Sequence, residues 1–214
     1  MPTSEAIAAR VGREAPYEEA LDAFLAAHVP SRGAAGLVQA YRAVQAMPYF
    51  SGLDRTPQAA LRDGRGACTA KHLVLRDLLR RLGHPADVEI VEGDFASGVP
   101  VHPSMPDALM TMIRDEGVTD FHCRVRVGGQ ALDATWPLDL LRWGFPADTD
   151  WDGQGDTKQA IERVVVRSVE EDVLGAKARL LAGLSEEATR RRAEFLALLS
   201  NWLADLPWPE EETI

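Results

Sequence analysis

The alternation of apolar and polar positions divides the chain into a helical first third, a strand-rich middle and a helical end. Residues 4–28 read as one or two helices, with Leu21, Phe24 and Leu25 as the apolar stripe and Pro16 in the opening turn of the second. Pro30-Ser31-Arg32-Gly33 breaks that pattern. Leu37, Val38, Tyr41 and Val44 then recur at helical spacing over Ala35–Ala46. Met47 to Gly52 predicts an extended or turn segment, and Thr56 followed by Pro57 predicts a short capped helix. The densest apolar run is Lys71–Leu82, which carries Leu73, Val74, Leu75, Leu78, Leu79 and Leu82. Such density suits a helix buried around most of its circumference, stopped by Gly83 and Pro85.

After Pro85 the period changes. Ala86–Glu92 predicts a strand through Val88 and Ile90. Residues 93–106 are rich in Pro and Gly and predict a loop, followed by a short amphipathic helix over Met105–Glu116 that ends at Gly117. Phe121–Val127 and Gln130–Trp136 predict two strands joined by a Gly128-Gly129 hairpin turn. Leu138–Trp143 predicts a turn or two of helix, 148–156 an acidic loop, and Ile161–Val169 a further strand. Helices are expected over Val173–Ala182 and Ser185–Leu206, with Ser185 as cap and a frayed tail from Pro207. With no repeat and no linker, the expectation is one α+β domain over 1–214, with a core at about 36–169 and helical extensions at 1–35 and 170–206.

Composition narrows the chemistry. A hydrophobic fraction of 46% and five Trp in 214 residues support a sizeable core. The net charge of −10 argues against nucleic acid or an anionic membrane as partner, because phosphate binding needs clustered Lys and Arg. Arg190-Arg191-Arg192 reads as the solvated side of a helix. Cys68 and Cys123 are too few for a disulfide scaffold or a metal quartet. Met1–Ala20 has no apolar signal region, and no run approaches the roughly 18 apolar residues of a membrane span. The expected setting is the cytoplasm, where a free thiol is stable.

Cys68 falls where the turn Asp63-Gly64-Arg65-Gly66 enters the most apolar helix. Unpaired N–H groups and the positive end of the helix dipole favour a thiolate there. The hairpin supplies its partners. A two-residue loop pairs Val127 with Gln130, Val125 with Leu132, Arg124 with Asp133, Cys123 with Ala134 and His122 with Thr135. One face then holds Phe121, Cys123, Val125, Val127, Leu132, Ala134 and Trp136, and the other His122, Arg124, Arg126, Ala131, Asp133 and Thr135. His122 and Asp133 become diagonal neighbours within one hydrogen bond, while Cys123 points away to the apolar face. A carboxylate on one ring nitrogen fixes the tautomer and leaves the other nitrogen for a thiol.

Cys68, His122 and Asp133 thus read as nucleophile, base and orienter. The chain resembles the transglutaminase-like superfamily in three blocks: Gly66-Ala67-Cys68-Thr69-Ala70-Lys71 with the helix through Leu82-Gly83-His84-Pro85, His122 to Val127, and Leu132-Asp133-Ala134-Thr135-Trp136. The likeness runs from about Val44 to Trp136. It implies a papain-like α+β core, with the Cys helix packed on an antiparallel sheet that carries His and Asp. It implies acyl transfer through a thioester on a peptide or a small amide or ester, with no cofactor and no metal. Gln45 and Tyr49 are candidates for the oxyanion side beside the Cys68 backbone N–H, and Trp136 for a groove wall. Arg124 departs from the family pattern, and as the partner of Asp133 it would either divert that carboxylate or bind an acidic substrate group. The 92–119 stretch is expected as an insertion over the site. Two other readings compete: a catalytically silent binding module of the same fold, and a calcium loop at Asp148–Asp156. Gln159 stands at that loop's twelfth place, where a carboxylate is needed, so a solvated acidic loop is favoured. A Cys68–His72 metal pair finds no further ligands.

Overall fold

The computed structural model describes residues 17–161 and 163–206. The helix expected before Pro16 and the frayed tail expected from Pro207 fall outside the described residues. Four helices come first: α1 (Tyr17–His28), α2 (Gly33–Ala46), α3 (Pro57–Asp63) and α4 (Cys68–Arg81). Strand β1 (Ala86–Asp94) runs into a 3-10 turn at Phe95–Gly98. Helix α5 (Asp107–Thr111) continues in a wide turn, Met112–Glu116. Then come β2 (Thr119–Val127), β3 (Gln130–Leu132), a 3-10 turn at Leu138–Trp143, β4 (Val165–Ser168), α6 (Val173–Ala182) and α7 (Glu186–Ala204). The protein is α+β, with a four-stranded antiparallel sheet in the order β3-β2-β1-β4.

Local chemistry accounts for the boundaries. Thr56 Oγ1 accepts from the Ala59 N–H at 3.2 Å and starts α3, which ends at Gly64 with φ 64°. Ser185 caps α7 in the same way, accepting from Ala188 at 3.1 Å. Gly128 and Gly129 both have positive φ (56° and 85°), the backbone a two-residue hairpin demands, and Val127 pairs with Gln130 and Val125 with Leu132.

The return strand is shorter than the alternation implies: β3 stops at Leu132, not Trp136. The 156–157 loop occupies its outer edge, where Asp156 accepts from Ala131 N, Thr157 N donates to Ala131 O, and Thr157 Oγ1 accepts from Asp133 N. Asp133 therefore leaves the ladder. Strand β4 is also shorter than expected and pairs with β1 across a register shift between Ile90 and Val91. The stretch expected as a loop begins with order, because Asp94 Oδ1 accepts from both Ala96 N and Val118 N.

Two apolar clusters flank the sheet. The first joins Leu73, Val74 and Leu78 of α4 to Tyr41 and Val44, to Val88, Ile90, Cys123 and Val125, and to Val173 and Ala176 of α6. The second joins Val91, Phe95, Met105, Leu109 and Trp136 to Phe195, Leu199 and Trp202 of α7. Each fully buried side chain of this size contributes about 1.5–3 kcal/mol of transfer free energy. The C-terminal helices therefore complete both cores, and the 92–119 stretch packs beneath α7 as part of the second. Cys68 belongs to the first cluster and Ala67 to the second, so the thiol lies at their seam.

Candidate active site

Cys68 is the first residue of α4, with Ala67 as an extended N-cap. The turn before it is held to the segment after α2: Gly66 N donates to Pro48 O at 3.1 Å, and Phe50 N donates to Gly66 O at 3.2 Å. Lys71, one turn on, is fully buried and donates to Met47 O (2.7 Å), Thr135 O (2.9 Å) and Gln45 O (3.3 Å). One ammonium thus ties the start of α4 to the end of α2 and to the chain beyond β3. Burial pushes its pKa down to about 7, against the pull of Asp133 and Cys68.

His122 on β2 donates from Nε2 to Asp133 Oδ2 at 2.7 Å, both side chains being 1% exposed. The carboxylate takes two further hydrogen bonds: Oδ2 also accepts from Ala160 N (2.8 Å), and Oδ1 from Thr135 N (3.0 Å). Gly98 is what lets Ala160 come so near, since a Cβ there would fall 1.6 Å from Ala160 O. Burial alone would raise the Asp133 pKa, but the charge and hydrogen bond of His122 hold it far below the usual carboxylate range. Burial likewise opposes charge on His122, and the charges of Asp133 and Cys68 outweigh it, raising the ring to about 10. Its Nδ1 is buried without a hydrogen-bond partner among the described residues, and Cys68 is close enough for the two ionisations to be linked. Phe95 stacks at 6.0 Å on the ring and closes it from above.

His72 is a second imidazole in the site, and both its nitrogens are committed. Ala134 N donates to Nε2 at 2.8 Å, so Nδ1 carries the proton and donates to Cys68 O at 2.8 Å. Burial lowers its pKa to about 4, and the ring is neutral near pH 7. The donor atoms of His72, His122 and Asp133 lie within 4.8 Å of one another, but these bonds leave no nitrogen of His72 free for an ion. The neutral ring pins the Cys68 carbonyl to the residue after Asp133.

The geometry corrects several expectations. Arg124 does not face Asp133: its Nε donates to Glu89 Oε2 at 3.0 Å and its NH1 to Gln159 at 3.1 Å. Glu89 is its direct partner across β1 and β2, and Asp133 has left the ladder that would have paired it. Gln45 does not point at the thiol either. Its amide donates to Tyr41 Oη and to Asp148 O, and its oxygen accepts from Arg42. Tyr49 is bridged to Gly66 and packs its ring at 4.8 Å on Trp136. Burial, then the Cys68 charge, pushes its phenol above the ordinary range. Trp136 is buried among Tyr49, Phe95 and Phe145, with Nε1 unpartnered among the described residues. Arg192 of the basic run turns inward to pair with Asp120. Three of the four acids of 148–156 are spent on backbone, around the buried Trp151: Asp148 accepts from Lys158 N, Asp152 from Gln154 N and Asp156 from Ala131 N, while Asp150 accepts from the Thr149 hydroxyl. Among the described residues they form no convergent ligand set.

Two residues join the site that the hairpin register left out. Cys123 hydrogen-bonds Thr69 Oγ1 at 3.5 Å, beneath α4. Lys177 of α6 is 4% exposed and donates to Thr69 Oγ1 at 2.9 Å, with Nζ 3.8 Å from Cys68 Sγ and 4.0 Å from Cys123 Sγ. The neighbouring Cys123 thiol holds the Cys68 thiol well below its usual pKa against the cost of burial, with help from the charges of Lys177 and His122. The Cys123 thiol is pushed up by the neighbouring Cys68 and by burial. Lys177 was visible as a lysine on the apolar stripe of α6, at helical spacing from Val173 and Leu180.

Cys68 is 6% exposed and His122 1%. Surface cavities of about 330, 300 and 470 Å³ are lined elsewhere, the largest by His102, Trp143, Leu198 and Trp202. Comparison of the chain with protein-family models, curated proteins and solved structures finds no match.

Proposed function

We propose that the protein is a cysteine-dependent acyl-transfer enzyme with a transglutaminase-like, papain-like core. Cys68 is the nucleophile, His122 the general acid and base, and Asp133 the residue that orients His122. One observation carries the reading: a buried His122 is held by Asp133 at 2.7 Å through Nε2, while its free Nδ1 belongs to a ring electrostatically linked to a cysteine at a helix start. The chain order Cys, His, Asp and the packing of α4 on the sheet agree with it.

In this reading the thiol proton resides on His122 in the resting state. The thiolate attacks a carbonyl carbon, the C–S bond forms, and the carbonyl electron pair moves to oxygen. The N–H of Cys68, a first-turn amide with no helical acceptor, is the oxyanion donor. Collapse expels the amine or alcohol, which takes its proton from His122 Nδ1. Water or an amine then gives a proton to His122 and attacks the thioester, and thiolate leaves. Asp133 stays ionised throughout and balances the imidazolium.

A second reading, a silent module that retains this core, is favoured by the burial of Cys68 and His122. Alkylation of Cys68 across pH separates the two. An enzyme has a thiol reactive well below the ordinary pKa of about 8.5 and dependent on His122, whereas a silent module has neither property. Trapping a Cys68 thioester from an activated ester, and offering water against amines, then assigns hydrolase or transferase.

A further inference from the structure

Lys177 is a cation without a conventional counter-ion. It is buried, and its Nζ meets Thr69 Oγ1 at 2.9 Å, Cys68 Sγ at 3.8 Å and Cys123 Sγ at 4.0 Å. Among the described residues no carboxylate lies within 4.0 Å of it. A charge out of water has to be paired or lost, because an unpaired buried ammonium sheds its proton. Lys71 illustrates the point, as it is buried against three carbonyls and pushed down to about 7. Lys177 behaves oppositely. Burial opposes its charge, yet Cys123, then Cys68 and the more distant Asp120, raise it above its ordinary value.

We propose that Lys177 is a catalytic residue, the counter-ion that holds Cys68 as a thiolate, so that α6 is a working part of the site. The inference rests on the reading of Cys68 as nucleophile. The proton balance is simple: the Cys68 proton moves to His122, and the negative sulfur then sits between two cations, His122 and Lys177. Cys123 stays a thiol, with its one proton donated to Thr69 Oγ1.

The other charged or titratable groups around the sulfur are already committed. Within α4, Lys71 is bound to three carbonyls, and His72 is neutral and doubly bonded. On β2, Asp120 is paired with Arg192. Beyond β3, Asp133 is taken by His122, Thr135 and Ala160. Before α3, Arg55 donates to Gly52 O and Ser51. Tyr49 is a neutral phenol whose ionisation the Cys68 charge disfavours. Lys177 is left to balance the sulfur from the α6 side.

The test is the pH profile of Cys68 alkylation by iodoacetamide, read at the Cys68 peptide by mass spectrometry. It is run on the full chain as wild type, Lys177→Met and Lys177→Arg. Met keeps the length of the stem and removes the charge, while Arg keeps the charge. The expected result is a rise of at least one pH unit in the midpoint for Lys177→Met, about a tenfold loss of rate at pH 6, with Lys177→Arg within about threefold of wild type. A Lys177→Met profile superimposed on a low wild-type profile overturns the role of Lys177 and leaves the enzyme reading standing. A wild-type midpoint at the ordinary thiol value overturns both. Should Lys177→Met fail to fold, wild-type protein serves. Capping Cys68 with methyl methanethiosulfonate removes the negative sulfur, and the Lys177 titration, followed by its 13Cε shift, is expected to fall by at least one pH unit. An unchanged titration overturns the proposal.

Discussion

Replacing His72 with Phe is expected to change stability in a way that depends on pH. The ring is buried, with Nε2 accepting from Ala134 N and Nδ1 donating to Cys68 O. Phe keeps a planar ring, somewhat larger than imidazole, and makes neither bond. The Cys68 carbonyl remains available to the helix, but the Ala134 N–H is orphaned. A lost bond plus an unsatisfied buried amide is worth about 2–3 kcal/mol at pH 7.5. The second contribution comes from titration. Burial holds the ring at about 4 in the folded protein, against an ordinary 6.5. Between these values the unfolded chain binds a proton that the folded chain does not, so wild-type stability falls as pH drops from 6.5 to about 4 and is unaffected by this group above 6.5. At about 1.4 kcal/mol per pH unit the loss is about 3 kcal/mol. His72→Phe has no such proton to bind. Urea denaturation followed by tryptophan fluorescence from pH 7.5 to 4 measures both effects, and groups common to the two proteins cancel in the difference. The wild-type advantage is expected to be about 2–3 kcal/mol at pH 7.5 and near zero at pH 4. A constant difference across that range would refute the neutral, doubly bonded ring.

Three further outcomes follow from the same geometry. Arg124→Met breaks a bond to Glu89, which keeps Arg126, and should cost about 1–2 kcal/mol in urea denaturation while leaving the Cys68 alkylation rate within twofold. A rate change beyond tenfold would restore Arg124 to the site. Gly98→Ala drives a Cβ into Ala160 O and pulls the Ala160 amide from Asp133, so the alkylation rate at pH 6 should fall several-fold in a protein whose circular dichroism is unchanged. Phe95→Ala removes the ring stacked on His122, Trp136 and Phe195 and should cost about 3–5 kcal/mol, seen as a fall in Tm of at least about 6 °C.

What was legible in the sequence was local. Thr56-Pro57, Gly83, Ser185 and Gly128-Gly129 fix their boundaries through short-range bonds, and the hairpin register follows from the two glycines. Cys68 at a helix start rests on that same short-range logic; His122 does meet Asp133, but off the ladder, where Thr157 and Ala160 hold Asp133. What was not legible depends on distant pairing. Glu89 claims Arg124 because β1 and β2 are neighbours, which no pattern within the hairpin encodes. Thr157 cuts β3 short from 24 residues away. Cys123, assigned to the apolar face, does face α4, but the seam of the two cores brings it to the same hydroxyl and ammonium as Cys68. Periodicity shows that His72 lies on the side of Cys68, yet it cannot show that Ala134 waits there. Lys177 left one signal, a charge on an apolar stripe, whose meaning depends on what α6 packs against.

The central claim is that Cys68 and His122 form an ion pair oriented by Asp133, and Cys68 alkylation across pH 5–10 in wild type and His122→Asn tests it most directly. Wild type is expected to react as a thiolate from well below pH 8, with the imidazolium lost only near pH 10, where His122 releases its proton. His122→Asn is expected to move the thiol up toward its ordinary pKa of about 8.5, losing about two orders of magnitude in rate at pH 6. Two coincident profiles, both rising near 8.5, would contradict the account.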